Sequence, residues 1–214
     1  MAYKRITVLG ASSGLGLEVT HMALQNRHPV VAVARSTAAL PQHENLTIVA
    51  GDARDKDVLK RAIKGSQSII FTLGHGQNME PTTALSESMQ ALLEVIADSA
   101  EKPFISCMIG YGGGDSYRFI TDPLFKSYFD SILEPVYRDK AIVEKLLKRY
   151  EGGWMMAYPG KITNGPLTRF YVIEELAAGV AAGEISQSDM AHFMLVQAEN
   201  NVLDHKQIVT RNPG

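Results

Sequence analysis

The residues with the clearest chemical potential are the seven from Gly10 to Gly16, reading Gly-Ala-Ser-Ser-Gly-Leu-Gly. They stand between a short β-branched run, "RITVLG", and the stretch "GLGLEVTHMALQNR", which places Leu15, Val19, Met22 and Ala23 at helical spacing. A glycine loop joining a strand to a helix is where a dinucleotide pyrophosphate binds. Gly10 permits the tight turn, Gly14 lets the backbone approach a phosphate, and Gly16 lets the helix pack on the sheet. Ser12, Ser13 and Leu15 complete the loop, and the helix N-terminus adds free N–H groups and a positive dipole end. The glycine triad alone is a weak signal, but its place between strand and helix strengthens it. The alternative is a tight turn that holds no ligand.

Residues at the ends of the next strands bear on which dinucleotide is bound. An acidic residue after the second strand would hold the adenosine ribose hydroxyls and select NAD. This chain has Arg35-Ser36 there instead. A guanidinium pairs with a 2′-phosphate through a two-pronged fork, and Ser36 can add a hydrogen bond, so the pattern favours NADP. Arg35 read blandly is a solvated residue at a strand end. "GDARD" places Asp52 and Ala53 where an adenine edge would lie. Asp52 either accepts from the exocyclic amine or serves as a turn residue or helix cap. "TLGHG" then ends the fourth strand with Leu73 and Gly74 near the expected ribose and pyrophosphate, and glycine there allows close backbone approach.

These positions depend on a regular frame. "PVVAVAR", "LTIVAGD", "SQSIIFTLG" and "PFISCMIG" read as buried strands, separated by helices over "DKDVLKRAIKG" and "ALSESMQALLEVIADSA". This βαβ alternation predicts a single α/β domain over residues 1–214, a Rossmann-type, doubly wound parallel sheet with helices on both faces. In the second half, "YGGGDSYRFITDP" reads as a flexible loop and "LEPVYRDKAIVEKLLKRY" as an amphipathic helix. "GGWMMAYPG" is a sixth strand, "KITNGPLT" a loop and "RFYVI" a short strand. "ISQSDMAHFMLVQAEN" is a helix capped at Ser186, and "KQIVTR" a final edge strand. The substrate side is expected from roughly 110–135 and 160–185.

Taken together, the glycine loop, "VAVAR", "GDARD", "FTLG" and "YPGKITNGP" resemble the short-chain dehydrogenase/reductase superfamily. Within it they are most similar to the atypical branch that includes NmrA-like proteins and the biliverdin-IXβ/flavin reductases. The loop spacing is that of the main branch; the rest of the chain, including "ISQSDMAHFML", follows the atypical one. The resemblance implies that Pro159 and Ile162 help hold the nicotinamide. The main branch uses a Tyr-x-x-x-Lys pair, and this chain lacks it: Tyr137 is followed by Lys140 at three residues. Residues three apart share a helix face, so a variant pair is one reading. The other has Tyr137 and Lys140 flanking an amphipathic face, one buried and one solvated. The serine that the reductase group places after the fifth strand is replaced by Ile109, and strand alternation turns Ser106 to the opposite face. Tyr111, in the following loop, is the remaining catalytic candidate.

Composition narrows the function classes. In 214 residues, 45% hydrophobic and 21% charged with a net charge of −2, no basic stripe or acidic tail argues for nucleic acid as a partner. No apolar run reaches the roughly 18 residues that span a bilayer, so no membrane partner is expected. One cysteine, Cys107, and an N-terminus that enters a strand directly fit a cytoplasmic protein. Six histidines show no metal-ligand spacing, so no metal is expected; His192 reads as packed and Cys107 as an inert core thiol. The glycines at 112–114 would give mobility to a flap. The expected activity is an NADPH-dependent oxidoreductase passing hydride to a flavin, quinone or similar small planar acceptor, acting as a monomer or small homo-oligomer. The alternative is a non-catalytic NADP-binding redox sensor of NmrA-like type.

Overall fold

The structure is a computed structural model that describes residues 3–76 and 79–213. In chain order its first half runs β1 (Ile6–Leu9), α1 (Gly14–Gln25), β2 (Val30–Ala34), β3 (Leu46–Ala50), α2 (Lys56–Ile63), β4 (Ser68–Phe71), α3 (Ala84–Ala97) and β5 (Phe104–Met108). The second half adds a 3₁₀ turn (Gly114–Phe119), α4 (Pro123–Tyr128), α5 (Glu134–Leu147), β6 (Trp154–Ala157), β7 (Lys161–Thr163), β8 (Val172–Glu175), β9 (Glu184–Ser186), α6 (Gln187–Asn200) and β10 (Lys206–Arg211).

Eight strands form one twisted sheet in the order β3-β2-β1-β4-β5-β6-β10-β8, all parallel except the β10–β8 pair. The strands read as unbroken apolar runs because both faces are covered. On one face α1 and α6 pack over Val8, Ala32, Ile70 and Met155; on the other α2, α3 and α5 cover Val31, Ile69, Ile105 and Cys107. Strand order reverses between β1 and β4, so the crevice between their carboxyl ends is open to a ligand.

The doubly wound frame agrees with the pattern of the sequence, and three local readings are corrected. "KITNGPLT" is not wholly a loop: Lys161–Thr163 pairs in parallel with Glu184–Ser186 as a second, two-stranded sheet. Three residues are too few to show strand periodicity, and each pairs with a residue twenty-three positions on. "KQIVTR" is not an edge strand, since β8 lies outside it and takes the edge. "YGGGDSYRFITDP" is not wholly a loop: Gly114–Phe119 within it forms a 3₁₀ turn, and α4 begins at its last residue, Pro123. Asp122 caps α4 by accepting from Leu124 N at 2.8 Å, and Pro123 starts the helix. A π-type turn at Phe129–Leu133 then feeds α5, just before Pro135, which has no N–H to donate. The Ser186 cap is present as read, its hydroxyl accepting from Asp189 N at 3.0 Å.

The glycine run also differs from expectation. A Cβ at Gly112 would stand 2.2 Å from the Phe129 ring, one at Gly113 2.7 Å from Ile109, and one at Gly114 1.8 Å from the Glu144 carboxylate. These glycines are required by close packing against α5 and the turn before it, and do not form a loose hinge.

Candidate functional site

A crevice of about 550 Å³ opens at the switch point, within the usual range for small-molecule sites. It is lined by Gly10, Ser12, Ser13, Gly14 and Leu15 from the first loop, by Arg35 and Ser36 after β2, and by Asp52 and Ala53 after β3. Leu73 and Gly74 after β4 and Ile162 in β7 complete the expected set that the fold brings together. Gly16 lies beneath the lining: a Cβ there would stand 2.1 Å from Gly10 O and 2.5 Å from Thr72 Oγ1. Only a glycine lets α1 approach β1 and β4 closely enough to point its N-terminus into the crevice. Gly10 has φ +90° and leaves the strand in a turn that L side chains rarely adopt.

The electrostatics divide the crevice. Arg35 is exposed at its rim and makes no hydrogen bond or ion pair among the described residues. Asp52 is differently placed. Its Oδ1 accepts from Arg54 N at 2.9 Å and from Arg54 Nε at 3.0 Å, and its Oδ2 from Arg54 Nη2 at 2.8 Å. Those bonds hold the Asp52 carboxyl down to about 2, well below the usual carboxylate range, and the Arg35 charge adds to the effect. Arg54 itself lines the crevice and reaches Glu87 of α3 at 3.4 Å. Sequence reasoning missed Arg54; the signal available was its place two residues after Asp52. Met108, Ser88 and Gln187 also line the crevice without having been expected there.

Two expected residues lie elsewhere. Pro159 is not part of the crevice lining; its carbonyl accepts from Tyr111 N at 2.8 Å and ties the ends of β5 and β6. Tyr111 is buried, and its hydroxyl donates toward Phe119 O at 3.2 Å and Val180 O at 3.3 Å. One phenolic proton is thus shared between carbonyls of two segments, and none is left for an acceptor. As expected, Ser106 faces away from Ile109: Ile109 is buried under α5, and the Ser106 hydroxyl is buried without a partner.

The pair read as half solvated is not. Lys140 is 4% exposed, and burial pushes its ammonium down to about 8. Its Nζ lies 4.3 Å from the centroid of the Tyr137 ring. A Cβ at Gly110, two residues past Met108, would stand 3.1 Å from Tyr137 Oη and 3.4 Å from Lys140 Nζ. Neither polar atom has a hydrogen-bond partner among the described residues. Burial raises the Tyr137 phenol above its ordinary value, so it is protonated at neutral pH. Asp139, between them in sequence, caps α3 from α5, accepting from Leu85 N at 2.9 Å and Ser86 N at 3.2 Å. Cys107 is buried and its thiol pushed up by burial, as expected of an inert core thiol. His192 is packed on Tyr171, whose hydroxyl lies 2.8 Å from its Nδ1.

Among the described residues no cluster of His, Cys, Asp and Glu is placed to hold a metal ion, and no helix is long and apolar enough to cross a membrane. Residues 10–201 match the model of a family described as NAD(P)H-binding. Among solved structures the chain is similar to ChuY, an anaerobillin reductase from Escherichia coli O157:H7, at 22% identity over 98% of this chain and 97% of that one, with a TM-score of 0.80. A short-chain dehydrogenase/reductase from Veillonella parvula in complex with NADP matches at 15% identity over 100% and 96%, with a TM-score of 0.82. A candidate NADH-flavin reductase from Streptococcus pneumoniae matches at 17% identity over 98% and 100%, with a TM-score of 0.75. The chain belongs to the NAD(P)H-binding family and shares the Rossmann-type fold of these structures.

Proposed function

We propose that the protein is an NADPH-dependent oxidoreductase that reduces a small planar acceptor such as a flavin, a quinone or a linear tetrapyrrole. The observation that carries this reading is the unpartnered Arg35 guanidinium at the rim of the crevice built by the Gly10–Gly16 loop. A charge left free beside Ser36 suits a 2′-phosphate better than a ribose diol. The loop from Gly10 to Leu15 would hold the pyrophosphate, Asp52 and Ala53 the adenine, and Leu73, Gly74 and Ile162 the ribose and nicotinamide. A bound NADPH supplies the hydride. The named neighbours include an anaerobillin reductase and a candidate NADH-flavin reductase, which supports a small planar acceptor.

What the chain itself contributes is orientation and, for acceptors that need one, a proton. With Tyr111 committed to carbonyls, we assign proton delivery to Tyr137 Oη, which lies against Gly110 and outside the crevice lining, with the Lys140 ammonium on its ring. An ammonium there favours the phenolate that a transferred proton leaves behind. A buried lysine with no hydrogen-bond partner costs stability, which is the pattern of a site kept for chemistry. This favours an enzyme over a purely NADP-binding sensor.

The test is NADPH consumption with FMN, riboflavin, simple quinones and a bilin, beside a titration of NADPH binding. Turnover of any of these supports the reading; tight binding with no turnover would sink it in favour of the sensor. Arg35→Glu is expected to weaken NADPH binding by tenfold or more, with a much smaller effect on NADH. Equal affinity for NADPH in the variant would remove Arg35 from the site.

A further inference from the structure

Asn164 is the only asparagine of the sequence followed by glycine. It is exposed at a bend directly after β7, and its carboxamide makes no hydrogen bond among the described residues. The Gly165 N–H is equally unpaired there. Asn26, Asn200 and Asn212 differ on both counts. Their Nδ2 groups donate to Glu199, to Val196 O and to Asp189, and they precede Arg27, Asn201 and Pro213. A Cβ at Gly165 would stand 2.9 Å from Ser186 Cβ, so close packing retains the glycine although its backbone is not left-handed.

A free carboxamide followed by a free N–H, with no Cβ on the attacking residue, is set up for ring closure. The Gly165 nitrogen bonds to Asn164 Cγ, the Cγ–Nδ2 bond breaks, and ammonia leaves with the former amide proton. Water then opens the resulting succinimide. Opening at Cγ gives aspartate. Opening at the main-chain carbonyl gives isoaspartate, in which the backbone runs through Cβ and Cγ. Water is consumed and ammonia released in equal amounts, and nothing is oxidised or reduced.

The place of this pair decides what the change does. Asn164 and Gly165 are the whole link between two anchors on Ser186. Before them Thr163 pairs with Ser186 in the β7–β9 register; after them Pro166 O accepts from Ser186 Oγ at 3.0 Å. Ser186 also caps α6, and Asp189 in its first turn accepts from Thr168 N at 2.8 Å and Arg169 N at 2.7 Å. Isoaspartate adds a backbone atom, roughly 1.5 Å of chain, to a link closed at both ends. Ile162 and Gln187, the residues next to Thr163 and Ser186, line the crevice. We propose that Asn164 is a self-modification site, and that its conversion to isoaspartate loosens the crevice wall where β7 meets α6.

To test this, the full chain is aged at physiological temperature in mildly alkaline buffer, which favours attack by the Gly165 nitrogen, and digested for mass spectrometry. The peptide carrying Asn164 should gain about 1 Da, with isoaspartate identified by fragmentation, while the peptides of Asn26 and Asn200 keep their mass. Asn164→Gln should stay unmodified over the same interval, because its longer side chain closes a less favourable ring. Amide exchange of the isoaspartate form should quicken over residues 161–169 and 187–190. Asn164→Asp carries the new charge without the extra atom and should exchange as the native protein does. No mass gain at Asn164, or equal exchange in the isoaspartate and native forms, would overturn the proposal. NADPH affinity should fall by about threefold in the isoaspartate form, a readout that rests on reading the crevice as a dinucleotide site. Faster exchange with unchanged NADPH affinity would overturn the link to the crevice wall. A native protein that binds no NADPH would overturn the dinucleotide reading and leave the mass and exchange results to decide this one.

Discussion

Lys140 is the residue whose burial says most about the site. A lysine at this depth is charged below about pH 8 and neutral above it, whereas in the unfolded chain it stays charged up to its ordinary value of 10.5. Below pH 8 both states carry the proton and the folded state bears the full cost of burying it. Between about 8 and 10.5 the unfolded chain binds more protons, so this group's contribution to stability rises with pH. Lys140→Met keeps the length of the side chain and removes the charge. It is expected to raise stability at pH 7 by a few kcal/mol at most, to flatten the rise above pH 8, and to lower turnover of proton-requiring acceptors. Thermal melts at pH 7 and pH 9.5 beside NADPH-consumption assays check it; a variant less stable than the native protein at pH 7 would show that the ammonium is a structural asset. The sequence singled out Lys140 by its spacing from Tyr137 but gave no sign of its depth. Its depth comes from the fold, where the ends of β5 and the turn at Gly110 close over one face of α5. Arg35 was legible because its position after β2 is set by strand length alone. Arg54 was not, because its meaning depends on Glu87, thirty-three residues away.

At the scale of elements, α3 lines one side of the crevice and packs against α5, and Asp139 joins the two helices. The residue at the N-cap of α3, Thr83, turns its hydroxyl to Glu87 instead of to the helix backbone. Asp139 of α5 takes over the cap and satisfies two buried N–H groups. Asp139→Ala is expected to cost about 2–3 kcal/mol, from a lost cap and two unpaired donors, and Asp139→Asn about half of that. Denaturant unfolding of the two variants measures it; a loss under about 0.5 kcal/mol for Asp139→Ala would mean that packing alone holds the two helices. This junction marks what a sequence can and cannot disclose. Helices α1, α2, α3 and α6 were legible from apolar spacing, and α6 also from the cap at its own Ser186. A cap supplied from fifty-three residues away leaves no local trace. The same limit explains β7, whose only partner is distant, and the glycine run, whose packing partners Phe129 and Glu144 are brought by α5 and the turn before it.

For the whole molecule, the sheet order places the crevice at the reversal between β1 and β4, and on the proposed function the acceptor would sit toward the ends of β5 and β6. Two segments of the second half are tied to helices. One, around residues 112–120, is anchored to α5 where Asp115 N donates to the Glu144 carboxylate at 3.0 Å. The other, around 164–170, is anchored to α6 where Thr168 N donates to Asp189 at 2.8 Å. Tyr111 links the first segment to the stretch before β9 through Phe119 O and Val180 O. A tyrosine in that position acts on the geometry of the acceptor side rather than on a proton. Tyr111→Phe removes both bonds and keeps the buried ring. NADPH affinity should stay within about twofold, and kcat should fall by less than about tenfold, while KM for the acceptor rises. Amide exchange should quicken around residues 118–121 and 179–182, where the tie is lost. A kcat loss of a hundredfold or more, with no change in exchange, would return Tyr111 to the reacting centre and displace Tyr137 from it, because general acids contribute on that larger scale.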